Sequence, residues 1–87
     1  MNIPITVLMS VYNGERFLKE SISSILNQSF TEFEFIIVND GSTDNSKNII
    51  REFSLMDKRI HIINKQNTGL TSSLNKGIEI AKGEWIA

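Results

Sequence analysis

Residues Phe35-Ile36-Ile37-Val38-Asn39-Asp40-Gly41-Ser42-Thr43-Asp44 constrain the fold more than any other stretch of the chain. An unbroken run of aromatic and β-branched side chains offers no polar face to water, so it reads as a strand covered on both sides, as in a parallel sheet. The run stops at an acid, a glycine and short polar residues, the chemistry of a tight turn leading into a helix N-terminus. Asp40 then sits at the carboxyl end of a central strand, in the crevice where open α/β sheets bind ligands. Asp40 and Ser42 would serve equally as plain turn and cap residues, and this stretch alone leaves the two roles level.

The rest of the chain repeats the same alternation. Ile5 to Val11 is a strand-length apolar run broken by Thr6 and Ser10, and Tyr12-Asn13-Gly14 is turn chemistry. Leu18, Ile22, Ile25 and Leu26 recur at helical spacing and predict a helix ending near Gln28-Ser29. Phe33 to Val38 is the second strand, followed by a helix marked by Ile49, Ile50, Phe53 and Met56, with a cap at Ser42, Thr43 or Asp44. Ile60 to Ile63 predicts a third strand. A third helix follows Asn67-Thr68-Gly69, with Leu70, Leu74, Ile78 and Ala81 as its stripe and Gly83 as its stop. Glu84-Trp85-Ile86-Ala87 opens a fourth strand, expected beside the first. The order β-α-β-α-β-α-β implies right-handed crossovers and a parallel sheet with helices on both faces, half of a doubly wound α/β domain.

Composition excludes several function classes. Nine Lys and Arg against ten Asp and Glu give a net charge of −1, and only Lys58 and Arg59 are adjacent. That gives no electrostatic case for nucleic acid or an anionic membrane as the main partner. The absence of cysteine removes disulfides, thiolate metal sites and thiol nucleophiles, and fits a reducing compartment. The N-terminus lacks the basic start and cleavage site of a signal peptide, and no apolar run is long enough to span a membrane. A cytoplasmic setting is expected, with peripheral attachment at the inner face of the membrane left open for the full-length protein.

If the first and second strands are neighbours, their following turns converge. Tyr12 then offers a ring to stack on a planar base, and Asp40 an acceptor for a ring N–H, a minimum set for holding a pyrimidine. Tyr12 could instead pack on the first helix, and Asn13-Gly14 serve as turn and cap. Other nucleotide chemistries would leave signatures: no Gly-x-Gly-x-x-Gly follows the first strand, and there is no Walker loop. His61, the single histidine, alternates with isoleucines as a sheet-face residue does. No nucleophile elbow or carboxylate pair with metal-ligand spacing is evident, and Asp44 suits the second helix's N-terminus.

Val7-Leu8-Met9-Ser10-Val11-Tyr12-Asn13-Gly14, Val38-Asn39-Asp40-Gly41-Ser42-Thr43-Asp44, and Asn67-Thr68-Gly69 to Asn75-Lys76-Gly77, in this order, resemble the N-terminal half of a family 2 glycosyltransferase. The resemblance covers essentially the whole chain. It implies a GT-A, Rossmann-like fold and an inverting enzyme that transfers sugar from a nucleotide sugar, here a UDP-sugar, to an acceptor hydroxyl in polysaccharide or glycoconjugate synthesis. It further implies that Tyr12 stacks near the base, Asp40 accepts from its ring nitrogen, Ser10 and Asn13 shape the pocket, and the turn from Asn67 to Gly69 approaches the nucleotide.

Many family members carry proline where Ser10 stands, so the local turn is expected to differ. The family's Asp-x-Asp metal motif follows the strand that begins at Trp85, and its catalytic base lies further on. A divalent cation, Mn or Mg, is therefore expected in the full-length enzyme and not on these residues, and the chain alone is expected to be inactive. An edge left open at Trp85 and Ile86 would favour a homo-oligomer built through the C-terminal strand. The alternative is a small α/β binding or interaction module without catalysis, which leaves the three motifs a coincidence.

Overall fold

The computed structural model describes residues 5–29, 31–66, 75, 85 and 86. These form strand β1 Ile5–Val11, helix α1 Glu15–Leu26, strand β2 Phe33–Asp40, helix α2 Ser46–Met56, strand β3 Ile60–Lys65 and strand β4 Trp85–Ile86. The sheet order is β3-β2-β1-β4, and every neighbouring pair is parallel. The fourth strand lies beside the first, as expected, with Ile5 opposite Trp85. Of the third expected helix, only Asn75 is described, helical and exposed; Leu70, Leu74, Ile78 and Ala81 lie outside the described residues.

Register sorts the side chains into two faces, because successive residues of a strand point opposite ways. Ile5, Val7 and Met9 stand opposite Phe33, Phe35 and Ile37, which in turn meet Ile60 and Ile62. Leu18 and Ile22 of α1 and Ile49 and Ile50 of α2 cover this face, and together they form the core. Phe35 and Ile37 are completely buried, and withdrawing a side chain of that size from water contributes about 1.5–3 kcal/mol. All of β2 is buried, which is why its sequence shows no alternation.

The other face carries Thr6, Ser10, Glu34, Ile36, Val38 and Asp40. Thr6, which interrupts the apolar run of β1, donates its hydroxyl to its register partner Glu34 at 2.6 Å. A buried hydroxyl and a buried carboxyl group thus meet each other's hydrogen-bonding needs in part.

Two boundaries differ from expectation. Helix α1 stops at Leu26, because Asn27 caps it and the Gln28 side chain turns back to donate to the Ile25 carbonyl at 3.0 Å. Met56, expected on the buried stripe, is the last residue of α2 and lies 76% exposed at the rim of a groove shared with Leu26, Phe53 and Arg59.

Arg59 ties together the amino-terminal end of the sheet. Its guanidinium donates to the carbonyls of Thr31 and Leu26 at 3.1 and 3.3 Å and pairs with Asp57 at 2.7 Å. It also lies 4.5 Å from the centre of the Phe33 ring. Leu26 is the last residue of α1, so its carbonyl lacks a partner within the helix and favours a cation.

Candidate functional site

The last register couples at the carboxyl end of the sheet are Val11 with Asn39, Asn39 with Asn64, and Asp40 with Lys65. Asp40 and Lys65 share the face away from α1 and α2, whereas Tyr12, just beyond β1, lines a groove with Phe17, Leu18 and Ser21 of α1. Lys65 Nζ lies 2.6 Å from Asp40 Oδ1, with the two side chains 17% and 4% exposed. The same ammonium donates to the Gln66 carbonyl at 3.0 Å. Tyr12 is 53% exposed, so its ring is presented to solvent instead of being packed away.

The β2 and β3 strands run two residues further than the apolar pattern suggests. Asn39 and Asp40 stay in the ladder because their side chains are satisfied laterally by the neighbouring strand. Asn39 Nδ2 donates to Asn64 Oδ1 at 3.1 Å, and Asn39 Oδ1 accepts from the Ser42 amide at 3.3 Å. Gly41 then turns the chain with φ 71°, a left-handed conformation that costs glycine no steric penalty.

The turns after β1 and β2 are fastened to each other in both directions. Asn13, itself at φ 50°, accepts at Oδ1 from the amides of Thr43 and Asp44 at 2.8 and 3.4 Å. In return, the amides of Asn13, Gly14 and Glu15 donate to Ser42 Oγ, Ser46 Oγ and Asp44 Oδ2 at 3.0, 3.0 and 3.2 Å. The amides at the start of α1, which have no partner inside the helix, are thus capped by side chains of the next crossover.

Asp44 also accepts from the Ser46 amide at 2.9 Å through Oδ1. The hydrogen bonds from Ser46, and then the backbone bond from Glu15, hold its carboxyl below the ordinary value against a desolvation that pushes it up. The N-cap position of α2 falls to Asn45, not to Ser42, Thr43 or Asp44 as the sequence suggested. Ser42 is engaged with Asn13 in the turn before α1, while Asp44 bonds the first residues of both α1 and α2.

Asp40 is the last residue of β2, and Tyr12 follows the last residue of the neighbouring strand β1. Ser10 lies on the same face as Asp40, half-buried, and lines a groove with Tyr12, Phe17 and Ser21. The Asn13 side chain is part of the fastening between turns, with its oxygen directed at Thr43 and Asp44. Asn67 and Gly69 lie outside the described residues.

Lys65 was not singled out by any motif. It lines an open cleft with Gly41, Ser42, Asn64 and Gln66. Its signal was available: with β3 parallel to β2, counting from Phe35 and Ile60 aligns the acid ending one strand with the lysine ending the other. Among the described residues no three His, Cys, Asp or Glu side chains form a group able to hold a metal ion. The acids at this end, Asp40 and Asp44, are engaged by Lys65 and by helix amides, so the described residues do not fit a divalent-cation site. His61 is exposed on β3. No described helix is long and apolar enough to cross a membrane.

The model for glycosyl transferase family 2 matches residues 6–87. The glycosyltransferase GlyA of Streptococcus pneumoniae serotype 4 is 43% identical to the chain over 82 residues, covering 94% of the chain and 12% of GlyA. Residues 1–349 of TarS of S. aureus, solved in complex with UDP-GlcNAc, superimpose with TM-score 0.86 at 27% identity, over 95% of the chain and 25% of that TarS chain. PcManGT, a mannosyltransferase from Pyrobaculum calidifontis solved with GDP-Man and Mn2+, gives TM-score 0.89 at 21% identity, over 99% of the chain and 26% of that protein. The chain therefore spans about a quarter or less of the length of the proteins it resembles.

Proposed function

The chain belongs to glycosyl transferase family 2, and on that premise we propose that its carboxyl sheet end holds the base of a nucleotide sugar, a UDP-sugar. Its fold is the N-terminal, Rossmann-like half of the GT-A fold. The observation that carries the proposal is the placement of Asp40 as the last residue of β2, with the exposed Tyr12 just beyond the end of the neighbouring strand β1. The ring stacks on the base, and the carboxylate accepts from its ring N–H. Ser10 lines the groove beside Tyr12. Asn13 contributes by fixing the turn that presents Tyr12. The UDP-GlcNAc bound by TarS, which shares this architecture at 27% identity, supports a uridine nucleotide.

In the complete transferase a divalent cation supplies charge to stabilise the diphosphate leaving group. A carboxylate base takes the acceptor proton. Neither role is assigned to a described residue here. These residues bind and orient the donor.

The test is a titration of isotope-labelled chain with UDP. Amide signals of residues 10–13 and 40–42 should shift, with millimolar affinity, about 4 kcal/mol of binding free energy. Asp40→Ala should remove the shifts. Absence of any shift at saturating UDP, or equal binding by Asp40→Ala, would sink the assignment.

A further inference from the structure

We infer that Asn13 is a site of spontaneous deamidation, and that the segment after β2 restrains the reaction by gripping both of the groups it must join. Asn13-Gly14 is the single Asn-Gly pair in the sequence. Glycine carries no side chain to obstruct the approach of its own amide nitrogen to the preceding carboxamide. Asn13 is exposed, so the water that takes part and the ammonia that leaves have access to it.

The Gly14 amide loses its proton to hydroxide, and its nitrogen attacks Cγ of Asn13. The Cγ–Nδ2 bond breaks, ammonia leaves with a proton taken from water, and a cyclic succinimide closes. Water then opens the ring at either carbonyl. Breaking the new bond leaves aspartate; breaking the original peptide bond leaves isoaspartate, with the main chain rerouted through the side-chain carbon. The amide and water are consumed, an acid and ammonia are formed, and nothing is oxidised or reduced.

The folded chain restrains both partners. The Gly14 N–H donates to Ser46 Oγ at 3.0 Å, and Ser46 is completely buried. That proton therefore faces the protein and not the base that must remove it. The Asn13 carboxamide is held at Oδ1 by the amides of Thr43 and Asp44, with the backbone at φ 50°. Ring closure needs the Gly14 amide released from Ser46 and the carboxamide turned onto its nitrogen, so the 42–46 segment must lift first, a local opening. A turn that opens and recloses stays fastened; one that reacts while open does not. Isoaspartate inserts an extra main-chain atom between positions 13 and 14, so their amides no longer match the spacing of Ser42 and Ser46.

The experiment ages the chain in mildly alkaline buffer and follows position 13 by peptide mapping with mass spectrometry that separates aspartate from isoaspartate. In the folded wild type Asn13 should react at least about tenfold more slowly than in the chain unfolded by urea, an opening free energy of about 1.4 kcal/mol or more. Ser46→Ala removes the acceptor of the Gly14 amide. It should speed the folded rate by about two- to tenfold, the effect of one lost hydrogen bond on opening, and leave the rate in urea unchanged. Gly14→Ala should slow the reaction folded and unfolded alike, because its methyl group hinders ring closure. In the fold that methyl meets Val11 Cγ1 at 3.6 Å, an ordinary contact. Isoaspartate should accompany aspartate throughout, and the isolated isoaspartate product should lose the slow hydrogen exchange of the amides at positions 14 and 15.

A folded rate equal to the rate in urea would overturn the protection. So would an unchanged rate in Ser46→Ala with its folded amide spectrum intact. No reaction at Asn13 in urea would remove the site, and aspartate as the sole product would remove the succinimide route. Should Ser46→Ala lose its folded spectrum, Ser42→Ala, which frees the Asn13 amide in the same fastening, replaces it with the same expectation and the same means of failing.

Discussion

The two ends of the sheet use polar side chains for opposite purposes. At the amino-terminal end, the Arg59 fork is directed into the protein, onto the carbonyls of Leu26 and Thr31, the Asp57 carboxylate and the Phe33 ring. At the carboxyl-terminal end, Lys65 pairs with one carboxylate on the lip of an open cleft. Arg59 satisfies the Leu26 carbonyl at the end of α1 and adds a second donor to the Thr31 carbonyl, which is a contribution to stability. The Asp40–Lys65 couple joins two side chains at adjoining strand ends, with Lys65 lining the cleft. Charge pairs of similar length in one sheet thus acquire different meanings from what surrounds them.

The largest effect that would sharpen this contrast is expected from Arg59→Ala. Loss of the two carbonyl contacts, the Asp57 pair and the Phe33 stacking should cost about 2–3 kcal/mol in urea unfolding. Arg59→Lys should recover little of it, since an ammonium cannot reproduce the planar fork. UDP affinity measured under folding conditions should stay within twofold of wild type, or about 0.4 kcal/mol. A loss of UDP binding as large as that of Asp40→Ala would show that the two ends are not separable.

Asn13→Ala should come next, at about 1–2 kcal/mol, from an unfavourable positive φ and the lost acceptor for Thr43 and Asp44. Asn13→Gly should restore the backbone part only. Denaturant midpoints of the two variants separate strain from hydrogen bonding, and equal midpoints would contradict the division.

The smallest effect concerns acid. The hydrogen bond from Arg59, foremost, holds the Asp57 carboxyl below its ordinary 3.8 in the folded protein. A carboxyl group depressed on folding contributes stability above its unfolded value and loses it as pH falls through its folded value. Unfolding free energy of the wild type should therefore decline as pH drops below 3.8, and Asp57→Asn should flatten that decline. An equally steep decline in the variant would remove Asp57 from the acid response.

The elements themselves were legible because burial writes itself into residue type. The run through Phe35 to Val38 is apolar on both faces, and the stripe of Leu18, Ile22, Ile25 and Leu26 marks the buried side of α1. The ends of β2 and β3 were harder. Asn39, Asp40, Asn64 and Lys65 look like turn residues in one dimension and become strand residues only when each finds its lateral partner. Arg59 was hidden for the same reason, since Leu26 is 33 residues away along the chain.

The positions of Asp40 at the end of β2 and of Tyr12 just after β1 were legible from the apolar runs that precede them. The role of the Asn13 side chain depends on a turn 30 residues later, which spacing within its own motif does not reveal. The cap of α2 was missed because nearby hydroxyls and the Asp44 carboxylate are engaged by the neighbouring helix.

The capping of α1 by the following crossover has a consequence for how this region breathes. A helix start capped by its own side chains can fray one turn at a time. Here the amides of Asn13, Gly14 and Glu15 end on residues 29, 32 and 29 positions further along the chain. Their exchange with solvent deuterium therefore requires the 42–46 segment to lift as well, and the two turns open as one cooperative unit. Tyr12, immediately before those amides, inherits the rigidity of a segment that is distant in sequence. A ligand resting on its ring would thus report on the second crossover as well as the first.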